Sequence, residues 1–196
     1  TTAIDVGANI GFFTKRFGRW VSAGGRVIAI EPEPANFAGL QRVVLKSGLE
    51  AVVEAIQGVA AEAEGTLHLE LNPFQHSDHK IGERGLPVKA FSLDGILEQR
   101  GWPSVSLCKI DVQGAEERVL RGAMKTLWKF HPALFVEVGD SYLREMGSSA
   151  ESLVALLADF GYRPHTLEKG RLSPPITLGR VLDICQGAGY GDFLFM

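Results

Sequence analysis

The stretch Ile4-Asp5-Val6-Gly7-Ala8-Asn9-Ile10-Gly11-Phe12-Phe13-Thr14 places glycines between an apolar strand pattern and a helical pattern. Thr2 to Val6 predicts a strand and Ile10 to Val21 predicts a helix, so the glycines lie in a tight strand-to-helix turn. Glycine accepts a positive φ, and its missing Cβ lets backbone N–H groups approach a ligand at the start of the helix. The turn therefore predicts a ligand site at the carboxyl end of the first strand.

The turn does not match the dinucleotide fingerprint, because the residue two positions after Gly7 is Asn9 rather than glycine. It combines instead with Asp5 in the first strand and with Glu31, which ends the next predicted strand. A carboxylate at Glu31 accepts hydrogen bonds from both hydroxyls of a ribose, which predicts a nucleoside without a 2′-phosphate. The charge of Asp5 would repel a pyrophosphate and attract an ammonium and a sulfonium, which favours S-adenosylmethionine over NAD. A plain strand-to-helix connection stays open as the alternative.

Apolar β-rich runs alternate with helical patterns along the chain, which predicts parallel strand-helix-strand units rather than hairpins. Ser92 and Ser149 are predicted to cap helices that continue to residues 100 and 160. The polar segment 72–85 is predicted to be a loop. The pattern predicts one α/β domain with a single sheet over residues 1–196. The expected strands are 2–6, 26–31, 51–56, 65–71, 87–91, 105–111, 133–138, 162–167 and 191–196, and the other expected helices are 34–46 and 115–130.

Composition indicates an ordinary globular protein. The 196 residues are 45% hydrophobic and 22% charged, which excludes disorder and a coiled coil. The formal net charge of -3 lacks the basic excess of a nucleic-acid binder, so we expect no nucleic-acid partner. No apolar run approaches the ~20 residues that span a bilayer, so we expect no membrane partner. Residues 1–5 lack the features of a signal peptide, so we expect a cytoplasmic protein.

Two further expectations concern the cysteines and the start of the chain. Cys108 and Cys185 lie in apolar stretches, where a thiol usually behaves as a small buried hydrophobe, so we expect free thiols. The sequence does not begin with Met, and its first predicted strand starts almost at residue 1. We therefore expect a segment upstream of Thr1.

Three motifs, in the right order, resemble the FkbM family of S-adenosylmethionine-dependent methyltransferases: Asp5 to Gly11, Val27 to Pro34, and Lys109 to Glu116. The patterns Phe91 to Leu97 and Asp192 to Phe195 also fit, so the resemblance covers essentially the whole chain. It implies a class I methyltransferase fold, a Rossmann-like three-layer sandwich with a mostly parallel seven-stranded sheet whose last strand is antiparallel. It also implies methyl transfer to a hydroxyl oxygen of a sugar, a polyketide or another secondary metabolite.

The resemblance implies which residues bind the cofactor. Gly7, Asn9 and Gly11 would shape the loop around its methionine and ribose parts, and Asp5 would lie near its amino group. The remaining implied contacts are Glu31 on the ribose, Pro32 on one face of the adenine, Val59 or Ala60 on the other face, and Asp111 beside the transferring methyl group.

Methyl transfer to oxygen is an in-line displacement at carbon, so the protein mainly supplies alignment and a base for an un-ionised hydroxyl. Asp111 is the candidate catalytic residue, because a carboxylate that ends an apolar strand projects into the crevice where ligands bind. It can act as the base, bind the cofactor's amine or the substrate, or cap the following helix. Lys109 lies on the same side of the strand, which predicts an ion pair with Asp111. The family more often has Glu where this chain has Gln113.

Glu116, Glu137 and His76 are candidate substrate-binding residues. Glu116 lies in the first turn of a predicted helix, where compensation of the helix dipole explains it equally well. Glu137 interrupts an apolar run, so it needs a partner and can point into the crevice. His76 lies in a polar loop with Asp78 and His79, where a base or metal ligands are conceivable and a solvated loop is the favoured interpretation. We therefore expect no metal.

These observations lead to one expected function and two alternatives. We expect an S-adenosylmethionine-dependent O-methyltransferase that acts on a small hydroxylated molecule. The alternatives are an NAD-dependent oxidoreductase and a non-catalytic cofactor-binding module of a biosynthetic protein.

Overall fold

Strands and helices alternate from the first residues of the chain, as the hydrophobic pattern predicts. The computed structural model describes residues 1–21, 23–72, 79–185 and 189–196. The strands are β1 (Thr2–Val6), β2 (Arg26–Glu31), β3 (Val53–Gln57), β4 (Val59–Ala60), β5 (Gly65–Glu70), β6 (Lys80–Gly82), β7 (Leu86–Phe91), β8 (Val105–Ile110), β9 (Ala133–Val138), β10 (Pro164–Glu168), β11 (Arg171–Leu172) and β12 (Gly191–Phe195). The helices are α1 (Phe12–Trp20), α2 (Pro34–Lys46), α3 (Leu93–Glu98), α4 (Glu116–Arg121), α5 (Met124–Phe130), α6 (Asp140–Glu145), α7 (Ala150–Asp159) and α8 (Leu178–Ile184).

The main sheet has eight strands in the order β11-β10-β12-β9-β8-β1-β2-β3. Pairing is parallel from β3 through β2, β1 and β8 to β9. The last strand, β12, runs antiparallel to both of its neighbours, β9 and β10, as the family resemblance implies. The predicted number of seven strands is wrong, because β11 adds a short antiparallel edge strand beside β10.

A second sheet of four strands, in the order β4-β7-β5-β6, corrects the prediction of a single sheet. Strands β5 and β7 were expected, but β6 lies inside the segment predicted to be a loop. The pairs β5/β6 and β5/β7 are antiparallel, and β4 is parallel to β7. The second sheet has its own small buried cluster, which includes Leu69, Val88 and Ala90.

Side chains of the main sheet alternate between two buried clusters, which gives the three layers. Ile4 and Ile28 belong to the larger cluster, with residues of α3, α4, α5 and α7. Ala3 and Val27 belong to the other cluster, together with residues of α1 and α2. The sheet is therefore covered on both faces by helices, as expected for a mostly parallel arrangement. Among the helices of the described segments, none is long and apolar enough to cross a membrane.

Several elements lie where they were predicted, and capping residues near their ends explain why. Helix α2 spans residues 34–46, with a proline in its first turn and the Glu33 carboxylate accepting a hydrogen bond from Asn36 N. The hydroxyls of Ser92 and Ser149 cap α3 and α7, as expected. The short helices α6 and α8 were not predicted.

The predicted helix 115–130 is wrong, because it is divided into α4 and α5 at Gly122. A Cβ at Gly122 would lie 2.0 Å from the carbonyl oxygen of Ala61, so the chain can pack there only without a side chain. Asp94 then caps α5 from a different helix. Its carboxylate accepts from Lys125 N at 2.8 Å, Thr126 N at 2.9 Å and Thr126 Oγ1 at 2.6 Å.

We predict that Asp94→Ala lowers the free energy of unfolding by about 2 kcal/mol, because the first turn of α5 loses its cap. The measurement is urea unfolding followed by circular dichroism. Glu98→Ala, at an exposed position of the same helix α3, is the matched control and should change stability by less than about 0.5 kcal/mol. Equal effects of the two variants would contradict a capping role for Asp94.

Candidate functional site

The loop after β1 has the left-handed backbone that its glycines predict. Gly7, Asn9 and Gly11 have φ values of 72°, 50° and 91°. The amides of Gly7 and Ala8 both donate to the carbonyl oxygen of Ile30, at 3.1 Å and 3.0 Å, which ties the loop to the end of β2. A Cβ at Gly7 would lie 1.9 Å from the carbonyl oxygen of Asp111. The loop therefore packs directly against the end of β8.

Glu31 ends β2 with a buried carboxylate that two backbone amides hold in place. Asn9 N donates to Oε2 at 2.8 Å, and Glu33 N donates to Oε1 at 3.0 Å. Burial raises the pKa of Glu31, and these hydrogen bonds oppose the rise. Each oxygen accepts one of these amides, and the Asn36 side chain is also hydrogen-bonded to the carboxylate. The carboxylate is therefore held in a fixed position in the cavity wall.

A cavity of about 290 Å³ opens at the carboxyl ends of the central strands. This is the location at which α/β sheets bind ligands. The predicted site residues that line the cavity are Gly7, Asn9, Glu31, Pro32, Val59, Ala60, Asp111 and Glu137. Asp5, Gly11 and Glu116 do not line it, and His76 lies outside the described residues.

Gly11 acts on the loop from behind the cavity, as the residue preceding α1. A Cβ there would lie 2.9 Å from Leu40 Cδ1, so the turn packs closely against α2. Gly11 thus shapes the loop without lining the cavity.

Asp5 is fully buried below the cavity, so the structure does not bring it to the position expected for a direct cofactor contact. Its carboxylate accepts from Thr14 Oγ1 of α1 at 2.5 Å and lies 3.6 Å from Lys109 Nζ. Asp5 and Lys109 are register partners on the parallel strands β1 and β8, so both point to the side covered by α1. Burial raises the pKa of Asp5, while Lys109 and Thr14 act in the opposite direction.

Lys109 connects these groups through one buried ammonium. Its Nζ donates to the carbonyl oxygens of Gly7 at 2.8 Å and Val6 at 3.3 Å. It lies 3.2 Å from Asp111 Oδ2, which confirms the predicted ion pair. Only 3% of the Lys109 side chain is exposed, against 36% for Asp111. The buried ammonium of Lys109 therefore lies beneath the floor of the cavity. The paired Asp111 carboxylate is exposed to the cavity.

Two carboxyl groups, those of Asp111 and Glu137, face the cavity and are joined by the amide of Gln113. Gln113 Nε2 donates to Glu137 Oε2 at 3.0 Å and to Asp111 Oδ1 at 3.3 Å. Gln113 has a φ of 52°, so the backbone turns sharply at this point after β8. Burial and the charges of Asp111, Glu116 and Asp192 raise the pKa of Glu137 to about 8.

Glu116 does not line the cavity, where a contact with substrate was expected, and instead holds the loop after β8. Its Oε1 accepts from Val112 N at 3.0 Å and from Gly114 N at 3.2 Å. Burial raises the pKa of Glu116 to about 7. Its contribution to the site is to fix the backbone around Gln113.

Several residues in the cavity wall were missed by sequence reasoning. Asn36 lies in the first turn of α2, and its position after Glu31 could have indicated it. Tyr142 and Tyr190 come from segments distant in sequence, and both lie close to Gly139 at the end of β9. His79 belongs to the polar loop whose histidines the sequence suggested as a base or metal ligands, but only His76 was predicted to contact substrate. The members of the wall that were missed are Val6, Ile30, Asn36, Gly58, Leu69, His79, Ile81, Val112, Gln113, Ala115, Tyr142 and Tyr190.

Both cysteines are buried free thiols, as expected. Cys185 Sγ lies 3.0 Å from the carbonyl oxygen of Val138. Within residues 1–21, 23–72, 79–185 and 189–196, no three His, Cys, Asp or Glu side chains come together in a way that would hold a metal ion.

The fold and the cavity define an α/β protein with a ligand site at the carboxyl ends of its central strands. Residues 5–164 match the family model described as the Methyltransferase FkbM domain. The chain belongs to this family, which confirms the resemblance found in its motifs. The comparisons lend no support to an NAD-dependent oxidoreductase.

The chain is similar to other proteins in sequence and in fold. The chain is 30% identical over 162 residues to Methyltransferase 1 of Beauveria bassiana (strain ARSEF 2860), an alignment that covers 70% of this chain and 64% of that protein. It superposes with a TM-score of 0.64 and 18% identity on Methyltransferase FkbM from Methylobacillus flagellatus KT, covering 100% of this chain and 43% of that one. A structure of the O-methyltransferase from Bacillus cereus in complex with SAH gives a TM-score of 0.51, 12% identity and coverage of 99% and 72%. The chain thus spans less than two thirds of the length of the first two relatives.

We predict that Gly7→Ala destabilises the protein by at least about 2 kcal/mol more than Gly48→Ala. Both positions have a positive φ, of 72° and 64°, so both variants carry the backbone strain of about 1–2 kcal/mol. Only at Gly7 does the added methyl group meet the Asp111 carbonyl, whereas nothing lies within 4 Å at Gly48. Urea unfolding measures the difference, and equal losses would contradict the close approach of the loop to β8.

We predict that Lys109→Met lowers the free energy of unfolding at neutral pH by about 3–5 kcal/mol, because it leaves the buried Asp5 without its cation. A carboxyl whose folded-state pKa is raised loses stability as the pH rises through that pKa, so the variant should regain stability as the pH falls. Urea unfolding between pH 5 and pH 8 tests this. The double variant Lys109→Met/Asp5→Asn is the control and should recover much of the loss at neutral pH. A loss that is independent of pH would contradict the pairing.

Proposed function

We propose that this chain is an S-adenosylmethionine-dependent O-methyltransferase domain that transfers a methyl group to a hydroxyl of a small molecule, such as a sugar or a natural product. The observation that carries the proposal is the Glu31 carboxylate, which is buried, held by the amides of Asn9 and Glu33, and presented to the cavity. Family membership and the SAH bound to the Bacillus cereus relative support it.

The residues around Glu31 fit the adenosine part of this cofactor. The ribose hydroxyls would donate to the carboxylate oxygens, each of which already accepts one backbone N–H. Pro32, Val59 and Ala60 line the same cavity and would pack against the adenine ring. These apolar groups offer the ring a slot of the kind that cofactor sites use.

The residues around Asp111 fit the positively charged part of the cofactor. Asp111 and Glu137 are acidic, and none of the described residues that line the cavity is Lys or Arg. An acidic wall attracts an ammonium and a sulfonium and repels a pyrophosphate. Asp5 lies beneath this wall, so its negative charge would act through Lys109 and Asp111 rather than by contact.

The bound cofactor would supply an electrophilic methyl group on a sulfonium. The chain's own residues align the acceptor and receive its proton. Asp111, which is paired with Lys109 and exposed to the cavity, would bind and orient the acceptor or the cofactor's amine. Tyr142 and Tyr190 line the cavity near the end of β9 and would exclude water from the acceptor side.

The acceptor is proposed to be a small molecule because the cavity measures about 290 Å³ and carries acidic groups. A nucleic-acid substrate would require cations to neutralise its phosphates. The described lining residues contain none of the Lys and Arg side chains that would do this.

The cofactor proposal predicts that SAH raises the Tm and that NAD does not. At a concentration of one hundred times Kd, a ligand stabilises by about 2.7 kcal/mol, which corresponds to a Tm rise of about 5–10 °C for a chain of this size. Differential scanning fluorimetry with each compound tests this. A rise with NAD and none with SAH would overturn the proposal in favour of an oxidoreductase.

Glu31→Gln should weaken SAH binding by about 10- to 100-fold, because an amide replaces one of the two accepting oxygens. Isothermal titration calorimetry gives the Kd. Glu50→Gln, at an exposed carboxylate away from the cavity, is the control and should leave the Kd unchanged. Methyl transfer is then measured with labelled S-adenosylmethionine and a panel of hydroxylated metabolites, with the product mass read directly.

A further inference from the structure

The carboxyl groups of Asp111 and Glu137 share one amide donor at the ends of neighbouring strands. Gln113 Nε2 carries two hydrogens and contacts one carboxyl with each of them. Both carboxyls line the cavity, and so does Gln113. A glutamate at position 113 would instead place another acceptor between two acceptors. The amide therefore offsets part of the repulsion between the two carboxyls.

The two carboxyls have different electrostatic surroundings. Asp111 lies 3.2 Å from the ammonium of Lys109. Glu137 has no such cation among the described residues. Its acidic neighbours are Asp111 from the end of β8, Glu116 from α4, and Asp192, its register partner on β12.

Other groups that can carry charge or titrate also line the cavity around Glu137. They are His79 from the segment before β6, Tyr142 from α6, and Tyr190 from the segment before β12. Lys109 is buried beneath the cavity and is paired with Asp111. Burial and the charges of the acidic neighbours raise the pKa of Glu137 to about 8. A hydrogen bond with the Asp111 side chain contributes to this rise. Glu137 therefore binds a proton more readily than an ordinary glutamate does.

We propose that Glu137 is the proton acceptor in methyl transfer and that Gln113 is a positioning residue that orients the Glu137 carboxyl in the cavity. This inference rests on the proposed function. The acceptor's O–H bond breaks and its proton passes to the Glu137 carboxylate. The oxygen forms a bond to the methyl carbon, and the electron pair of the breaking C–S bond stays on sulfur. Asp111, which is paired with Lys109, serves as a binding group.

The charge of the methyl donor provides a test that needs no acceptor. A bound sulfonium near the acidic wall favours the ionised form of Glu137, so S-adenosylmethionine should displace a proton that uncharged sulfur in SAH leaves in place. Calorimetry at pH 7.5 in two buffers of different ionisation enthalpy counts the protons released. We expect greater release with S-adenosylmethionine than with SAH, and loss of that difference in Glu137→Gln. Proton release from the cofactor's own amine is the same in the wild type and in Glu137→Gln, so it cancels when the two proteins are compared.

Two further variants test the role of the Glu137 carboxyl without replacing Glu137. Asp192→Asn removes a negative charge opposite Glu137, so it should reduce proton release at pH 7.5. Gln113→Glu adds a carboxyl beside it, so it should move the midpoint of the pH-rate profile upward. Glu168→Gln, at an exposed position of β10, is the control and should match the wild type in both measurements.

Activity separates the two carboxyls once the metabolite panel yields a product. Glu137→Gln should lower kcat by about 10²- to 10⁴-fold while the Kd for SAH changes less than about 3-fold. Asp111→Asn should act mainly on KM or on the cofactor Kd. A wild-type kcat in Glu137→Gln, or unchanged proton release, would overturn the inference while leaving the proposed function in place. Failure of the wild type to bind SAH would overturn the proposed function and this inference with it.

Discussion

A buried ammonium joins the ends of the two central strands and supports the floor of the cavity. Lys109 Nζ contacts the carbonyl oxygens of Val6 and Gly7 and lies beside the carboxylates of Asp5 and Asp111. Removing such a group from water is costly, and ion pairs in protein interiors add little net stability. The ammonium mainly fixes positions. One cation determines where the loop, the end of β8 and the exposed Asp111 carboxylate lie relative to each other.

The carboxylates around the cavity differ in what compensates their charge. Glu31 is held by backbone amides, and Asp111 is held by Lys109. Glu137 accepts from the amide of Gln113 and has acidic neighbours, and burial and these neighbours raise its pKa. The proposed function gives these carboxyls different roles because their surroundings differ: Glu31 accepts hydrogen bonds from a sugar, Asp111 binds, and Glu137 exchanges a proton.

The second sheet completes the cavity opposite the main sheet. Val59 and Ala60 form β4, which joins this sheet through β7 and lies just after the end of β3. Leu69 and Ile81, from β5 and β6, line the same cavity. An apolar wall on this side and an acidic wall at Asp111 and Glu137 divide the cavity into an end suited to an aromatic ring and an end suited to a positive charge.

Short-range patterns in the sequence determined the strand-to-helix turn, the carboxylate at the end of β2, the limits of α2 and the caps of α3 and α7. Each depends on residues within a few positions of one another, through φ preference, periodicity or a side chain that reaches the nearest amides. The motifs also identified the family, so Glu31, Pro32 and Asp111 could be named in advance as members of the cavity wall.

Only the tertiary structure decided which way the remaining groups point. Asp5 is buried because β1 and β8 pair in a register that sets it beside Lys109 and under Thr14. The break at Gly122 and the entry of Tyr142 and Tyr190 into the cavity wall depend on packing between segments that are distant in sequence. Such contacts leave no local periodicity, because strand register and loop packing, rather than the spacing of neighbouring residues, bring these groups together.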